Sequence, residues 1–205
     1  MNSTEPAPRS RFDGWPGELL RIGIALLLLV IFRSSFANHY VVPTGSMEYT
    51  LLPGDRVVVD MRAYGWRLPI TGQRIAGQAL PERGDVALFA SPTDGERLIK
   101  RIVAVGGDTV IVRDGHLSVN GQPATRIGGA DEEILSGHRY RLNLVYGGGP
   151  DITLRIPPGQ VLAMGDARGN SFDGRMFGLV PADQVYARAV AVYWRRGEGP
   201  VWRGL

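Results

Sequence analysis

"VRDGHLSVNGQPA", residues 112–124, decides the fold class. Asp114-Gly115 and Asn120-Gly121 are two-residue turn signals, each requiring positive φ at both central positions. Two such turns flanking a short alternating run predict consecutive hairpins. The same character extends outward in both directions. "HYVVP" (39–43), "RVVVD" (56–60), "DVALF" (85–89) and "LIKRIVAV" (98–105) read as strands, as do "TVIV" (109–112), "LSVN" (117–120), "VLAM" (161–164) and "ARAVAVYW" (187–194). Gly, Pro and Asp turns separate them. The expected class is mainly β, and 28 Gly and 14 Pro fit a turn-rich chain.

The N-terminus departs from this pattern. Residues 1–17 form a polar tail, and "IGIALLLLVIF" (22–32) is an uncharged apolar run. A full membrane span takes about 20 apolar residues. Extending the run from Leu19 to Ala37 includes Arg21 and Arg33, whose long stems can snorkel to an interface. The competing reading is a cleaved secretory signal, with Ser35-Phe36-Ala37 as a small-x-small site. In both readings the arginine-bearing end stays cytoplasmic and residues 38 onward lie outside. Residues 123–158 are the least patterned and read as an insertion.

With no cysteine in its 205 residues, the chain has no thiolate nucleophile, disulfide or thiolate metal site. Its net charge of +3 comes with no basic run, so no nucleic-acid surface is expected. There is no HExxH or carboxylate cluster to suggest a metal. A serine hydroxyl is a poor nucleophile without a base. Ser46 stands in "PTGSM" (43–47), which reads equally as a tight turn. His39, His116 and His138 are isolated and poor partners. Lys100 is the only lysine and falls mid-strand. Alternation puts Leu98 and Ile102 on its face, where desolvation would favour the neutral amine. The alternative role is an edge-strand lysine that discourages aggregation. A third stretch, "MGDARGNSFDGRMFGLVP" (164–181), crowds small polar residues and could pin side chains near a base, or be a surface loop.

Taken in order, the apolar segment, "PTGSM", "GDRVVV", "RGDVALF", "LIKRIVAVGGD", "DGHLSVNGQP" and "GDARGNSFDGR" resemble the bacterial type I signal peptidases, membrane-anchored Ser/Lys enzymes that remove signal peptides from exported proteins. The resemblance covers nearly the whole chain. It implies an antiparallel β fold with a small inserted β subdomain and one N-terminal transmembrane helix. The implied organisation is a cytoplasmic tail at 1–17, an anchor at 18–37, a catalytic β domain at 38–112 and 159–205, and an inserted cap at 113–158. It implies Ser46 as nucleophile, Lys100 as general base, Thr44 with the Ser46 N–H as oxyanion hole, and Ser171 as the residue that orients the lysine. Asp173 and Arg175 match supporting residues. Tyr40, Val42, Leu88, Val57 and Ile99 match walls of the pocket for the residue three before the cut. Val42, Pro43, Met47, Leu51, Leu98 and Ile99 match the pocket just before it. The implied partners are exported preproteins and the lipid bilayer of the bacterial inner membrane, with no metal or cofactor. The family retains the apolar segment, which favours an uncleaved anchor.

Four positions depart from the family pattern. Tyr49 stands where proline is usual, Ala167 where asparagine is, Gly169 where an acidic residue is, and Gly174 where a small polar residue is. A pilin-maturing peptidase of the same fold would share Ser46 and Lys100, and a catalytically silent tethered scaffold is the remaining alternative.

Overall fold

The computed structural model describes residues 15–35, 37–67, 74–77, 79–124 and 131–205. The first strand to consider is Arg97–Val105, whose nine residues alternate across a sheet. It pairs antiparallel with Val86–Ala90 on one side and Gln160–Met164 on the other. The sheet continues outward from Val86–Ala90 through Ala187–Arg195 and Arg56–Asp60 to Ala37–Val41. Past Gln160–Met164 it ends at Val180–Pro181, and Gly199–Gly204 pairs with Ala187–Arg195. Every ladder in it is antiparallel.

Ile152–Arg155, Thr109–Arg113, His116–Val119 and Gln122–Pro123 form a second, four-stranded sheet. Its hairpin turns are those of the sequence: Asp114 and Gly115 take φ of 48° and 82°, and Asn120 and Gly121 take 52° and 78°. Glu132–Leu135 and His138–Arg141 form a further hairpin across Ser136-Gly137, with φ of 50° and 85°. That turn was not expected, because Ser-Gly is a weaker signal than Asn-Gly. Strand Thr109–Arg113 runs across the expected insert boundary at 112/113. Val110 and Val112 are buried in one cluster with Leu117, Val119, Leu135 and Tyr140, so the ladder continues where the core does. Part of the expected loop "IGGADEE" lies outside the described residues.

Two further clusters fill the main sheet. Met47, Leu51, Val57, Val59 and Leu88 pack on one side of it, with Ile99 against them. Ala87, Phe89, Ile102 and Ala163 pack in the other, with Leu98 against them. Leu98 and Ile102 thus share a face opposite to Ile99, as alternation requires.

The N-terminal helix runs Trp15–Ser35, so it begins before the expected residue 18. The rest of the tail lies outside the described residues. Among those described, no helix is long and apolar enough to cross a membrane. The uncharged run 22–32 covers about 16 Å at 1.5 Å per residue, roughly half of a hydrocarbon core. Leu19, Leu20, Ile22, Ile24 and Leu26 to Leu29 are all exposed.

Candidate active site

Ser46 is held by a turn that its own neighbours build. Glu48 N–H donates to the Gly45 carbonyl at 3.1 Å, and Leu51 N–H to Met47 at 2.8 Å. Met47 and Leu51 are fully buried and anchor the turn from below. Asp55 closes it: its carboxylate accepts from Leu52 N–H at 2.9 Å and from Arg195 at 2.7 Å. The Glu48–Tyr49 peptide is cis. Thr44 is exposed, and its Oγ1 donates to Ser46 Oγ at 3.4 Å.

Lys100 is 3% exposed and pairs with Ala87 in the neighbouring strand. Its Nζ donates to Ser171 Oγ at 3.0 Å. Among the described residues, no ion pair joins it to a carboxylate. Burial brings the amine down to about 8; Asp173 and Asp166 oppose that at longer range, and Arg175 adds to it.

The loop after Gln160–Met164 brings the two chain segments together. A Cβ on Gly165 would come within 3.0 Å of both Ser171 Oγ and the Ser46 carbonyl oxygen. Gly165 is therefore the point where the Ser46 turn meets Ser171, the hydroxyl that accepts from Lys100, and a side chain there would push the turn and Ser171 apart. Ala167 N–H donates to the Ser46 carbonyl at 3.2 Å, holding the turn from the same loop.

Ser171 also bonds to Asp173, which accepts from Gly165 N–H at 3.0 Å and from Arg175 at 2.8 Å. Burial opposes ionisation of Asp173, but Arg175 and these hydrogen bonds outweigh it and hold the carboxyl below its ordinary value. Asp173 and Arg175 thus fix Ser171, and Ser171 fixes the lysine.

The walls expected from the sequence come together only in part. Tyr40, Val42, Pro43, Leu88, Leu98 and Ile99 line one pocket of about 190 Å³. Met47, Leu51 and Val57 do not line it. Each is fully buried in the cluster with Val42 and Leu88, because the turn needs apolar anchors beneath it. Sequence reasoning missed Val41 and Arg97, which also line the pocket. The histidines lie elsewhere: His39 is edge-on to Tyr193, His116 is in the second sheet, and His138 lies against Gly84.

A buried ionic network was also missed. Arg168 and Glu133, both fully buried, pair at 2.5 Å, and Arg168 Nε donates to the Gly165 carbonyl at 3.1 Å. Tyr140 donates to Glu133 at 2.6 Å. The hairpin 132–141 is thereby tied to the loop carrying Ser171. Sequence offered no signal for this, because Glu133 reads as one loop carboxylate among several.

The glycine departures also have local causes. A Cβ at Gly169 would strike the Tyr146 carbonyl, and one at Gly174 would strike Leu162. Ala167 is fully buried beside Asn143, whose carbonyl accepts from Arg168 N–H.

Comparison with known proteins shows the family. The family described as signal peptidase, peptidase S26, matches residues 17–194. The chain belongs to this family. Signal peptidase I of Pseudomonas fluorescens is 31% identical over 194 residues, covering 82% of this chain and 68% of the relative. That of Pseudomonas aeruginosa is 32% identical over 200 residues with the same coverage. A probable signal peptidase I-1 of Synechocystis is 34% identical over 167 residues, covering 82% of this chain and 76% of its own.

Proposed function

We propose that this S26 peptidase removes N-terminal signal peptides from exported preproteins, cutting after small-x-small sites with Ser46 and Lys100 as its dyad. The observation that carries the reading is the sole lysine: buried without a carboxylate partner, hydrogen-bonded to Ser171, and lowered to about 8.

Neutral Lys100 takes the Ser46 proton as Oγ attacks the scissile carbonyl. Thr44 Oγ1 and the Ser46 N–H hold the resulting oxyanion. The Lys100 ammonium then protonates the leaving amine, and the C–N bond breaks. Water, losing its proton to Lys100, attacks the acyl ester; the ester C–O bond breaks, and Lys100 returns that proton to Ser46 Oγ. Substrate lies along the pocket as an added strand. With a period of two, the residues one and three before the cut point the same way. A space of about 190 Å³ shared by both takes small side chains.

Attachment to the bilayer forms part of the same proposal. The helix residues Ile22 to Leu29 are apolar on all sides and exposed, which water does not favour. In a bilayer their burial is favourable, and Arg21 can snorkel to the interface. The catalytic domain then faces outward from the bacterial inner membrane, at the surface where preproteins emerge.

The test incubates detergent-solubilised protein with a preprotein bearing an Ala-x-Ala site, beside Ser46→Ala and Lys100→Met. Cleavage by the wild type alone is expected. A wild type as inert as both variants on several preproteins sinks the reading.

A further inference from the structure

Arg97 is the one charged residue in a pocket otherwise lined by Tyr40 and aliphatic groups. Its guanidinium lies over the Tyr40 ring, 4.5 Å from the centroid. Tyr186 accepts a hydrogen bond from it, and burial pushes the Tyr186 hydroxyl up to about 12, so that partner is neutral. Among the described residues, no ion pair joins Arg97 to a carboxylate. The side chain is thus oriented by two aromatic rings, while its charge is left uncompensated and exposed.

Its place along the cleft follows from the strand. Arg97 is three residues before Lys100 in Arg97–Val105, a separation of about 10 Å at ~3.3 Å per residue. A substrate strand advancing at the same rise brings its fourth residue before the cut level with Arg97, and its fifth one further rise of ~3.3 Å along. The fifth shares the pocket-facing side with the first and third. We infer that Arg97 is a specificity-determining residue: it draws an acidic substrate side chain at the residue five before the cut and repels a basic one. This rests on the proposed peptidase reading, which places the residues one and three before the cut in this pocket.

Labelled peptides with alanine one and three before the cut, and Glu, Gln or Lys five before it, test the assignment. Their affinities are measured on full-length Ser46→Ala in detergent, and their kcat/KM on the wild type. The Glu peptide is expected to bind about fivefold tighter than the Lys peptide at low salt, as for an exposed pair. That preference shrinks towards unity at about 0.5 M salt. Arg97→Gln, which keeps a polar group, brings the ratio near one, and Arg97→Glu inverts it. Equal affinities, absent binding, or a ratio that Arg97→Glu leaves unchanged overturn the inference. The binding arm needs no turnover, so charge-sorted binding without cleavage by the wild type sinks the peptidase reading, and with it the role of Arg97 in cleavage specificity, leaving only charge-selective peptide binding. Cleavage indifferent to the charge sinks the role of Arg97 alone.

Discussion

Lys100 and Arg101 are neighbours in one strand, and burial reaches both almost completely: 3% and 2% exposed. Their surroundings send them in opposite directions. Arg101 meets Asp166 at 2.7 Å, donates to the Gly84 carbonyl at 2.8 Å and lies 3.9 Å over the Tyr140 ring. Burial alone would lower its pKa, but the attraction of Asp166 outweighs that and raises it. Lys100, on the opposite face, meets a serine hydroxyl instead. The same desolvation that Asp166 outweighs for Arg101 is only partly offset for Lys100, by Asp173 and Asp166 at longer range, and its pKa falls to about 8.

The strongest way to break that contrast is to remove the dyad. Ser46→Ala and Lys100→Met each lower kcat by at least about 10⁴-fold in a preprotein-cleavage assay. Lys100→Met should hold or raise the urea midpoint, because it removes a charge that burial penalises. A destabilised Lys100→Met would mean the amine is a structural cation after all.

Arg101→Met should do the reverse. It strands Asp166 in the interior and costs about 3–5 kcal/mol of stability, read by urea unfolding. An unchanged midpoint would show that the pair does not hold the loop.

Thr44→Val should lower kcat by about 10²–10³-fold, the usual loss of one oxyanion donor. Thr44 is exposed, so the thermal midpoint should stay put. A change in KM alone would reassign the hydroxyl to substrate binding.

Gly165→Ala sharpens the geometry. Its methyl group pushes Ser171 away from the Ser46 carbonyl, and displacement of about 1 Å costs about 10²-fold in rate. Activity near wild type would show that the loop yields without moving the dyad.

The smallest effect is in pH. Only the neutral amine accepts a proton, so activity rises as pH climbs through the Lys100 pKa of about 8. From pH 7 to pH 9 the neutral fraction grows about tenfold, and so should kcat/KM, before a plateau. An ordinary lysine near 10.4 would keep rising well beyond pH 9. A flat profile from 6 to 9 would remove Lys100 as base.

Much of the strand content was legible because these strands carry β-branched runs bounded by Gly, Pro and Asp. Gly199–Gly204 and Ile152–Arg155 were not, because they have few aliphatics and owe their pairing to their neighbours. The dyad candidates were legible for a different reason: with no cysteine and one lysine, the choice of base was narrow. The pocket was read less well. Met47, Leu51 and Val57 look like any other wall residue in a string of letters, and their complete burial beneath the Ser46 turn appears only once three strands are stacked. Arg97 went unnoticed because arginine at a strand end ordinarily reads as solvated.

By itself, then, the sequence determined a β-rich chain with an apolar N-terminal helix, and it supplied a serine, a single lysine and a glycine-rich polar loop. Those follow from local chemistry: turn residues that accept positive φ, alternation, and the scarcity of bases. Tertiary structure decided which of two adjacent cations has its pKa lowered and which has it raised. It brought Asp166 to Arg101 and withheld a carboxylate from Lys100, and it left no side chain at Gly165 to separate Ser171 from the Ser46 turn. No local pattern encodes that difference, because the energy of a buried charge depends on partners that lie up to 71 residues away in the chain.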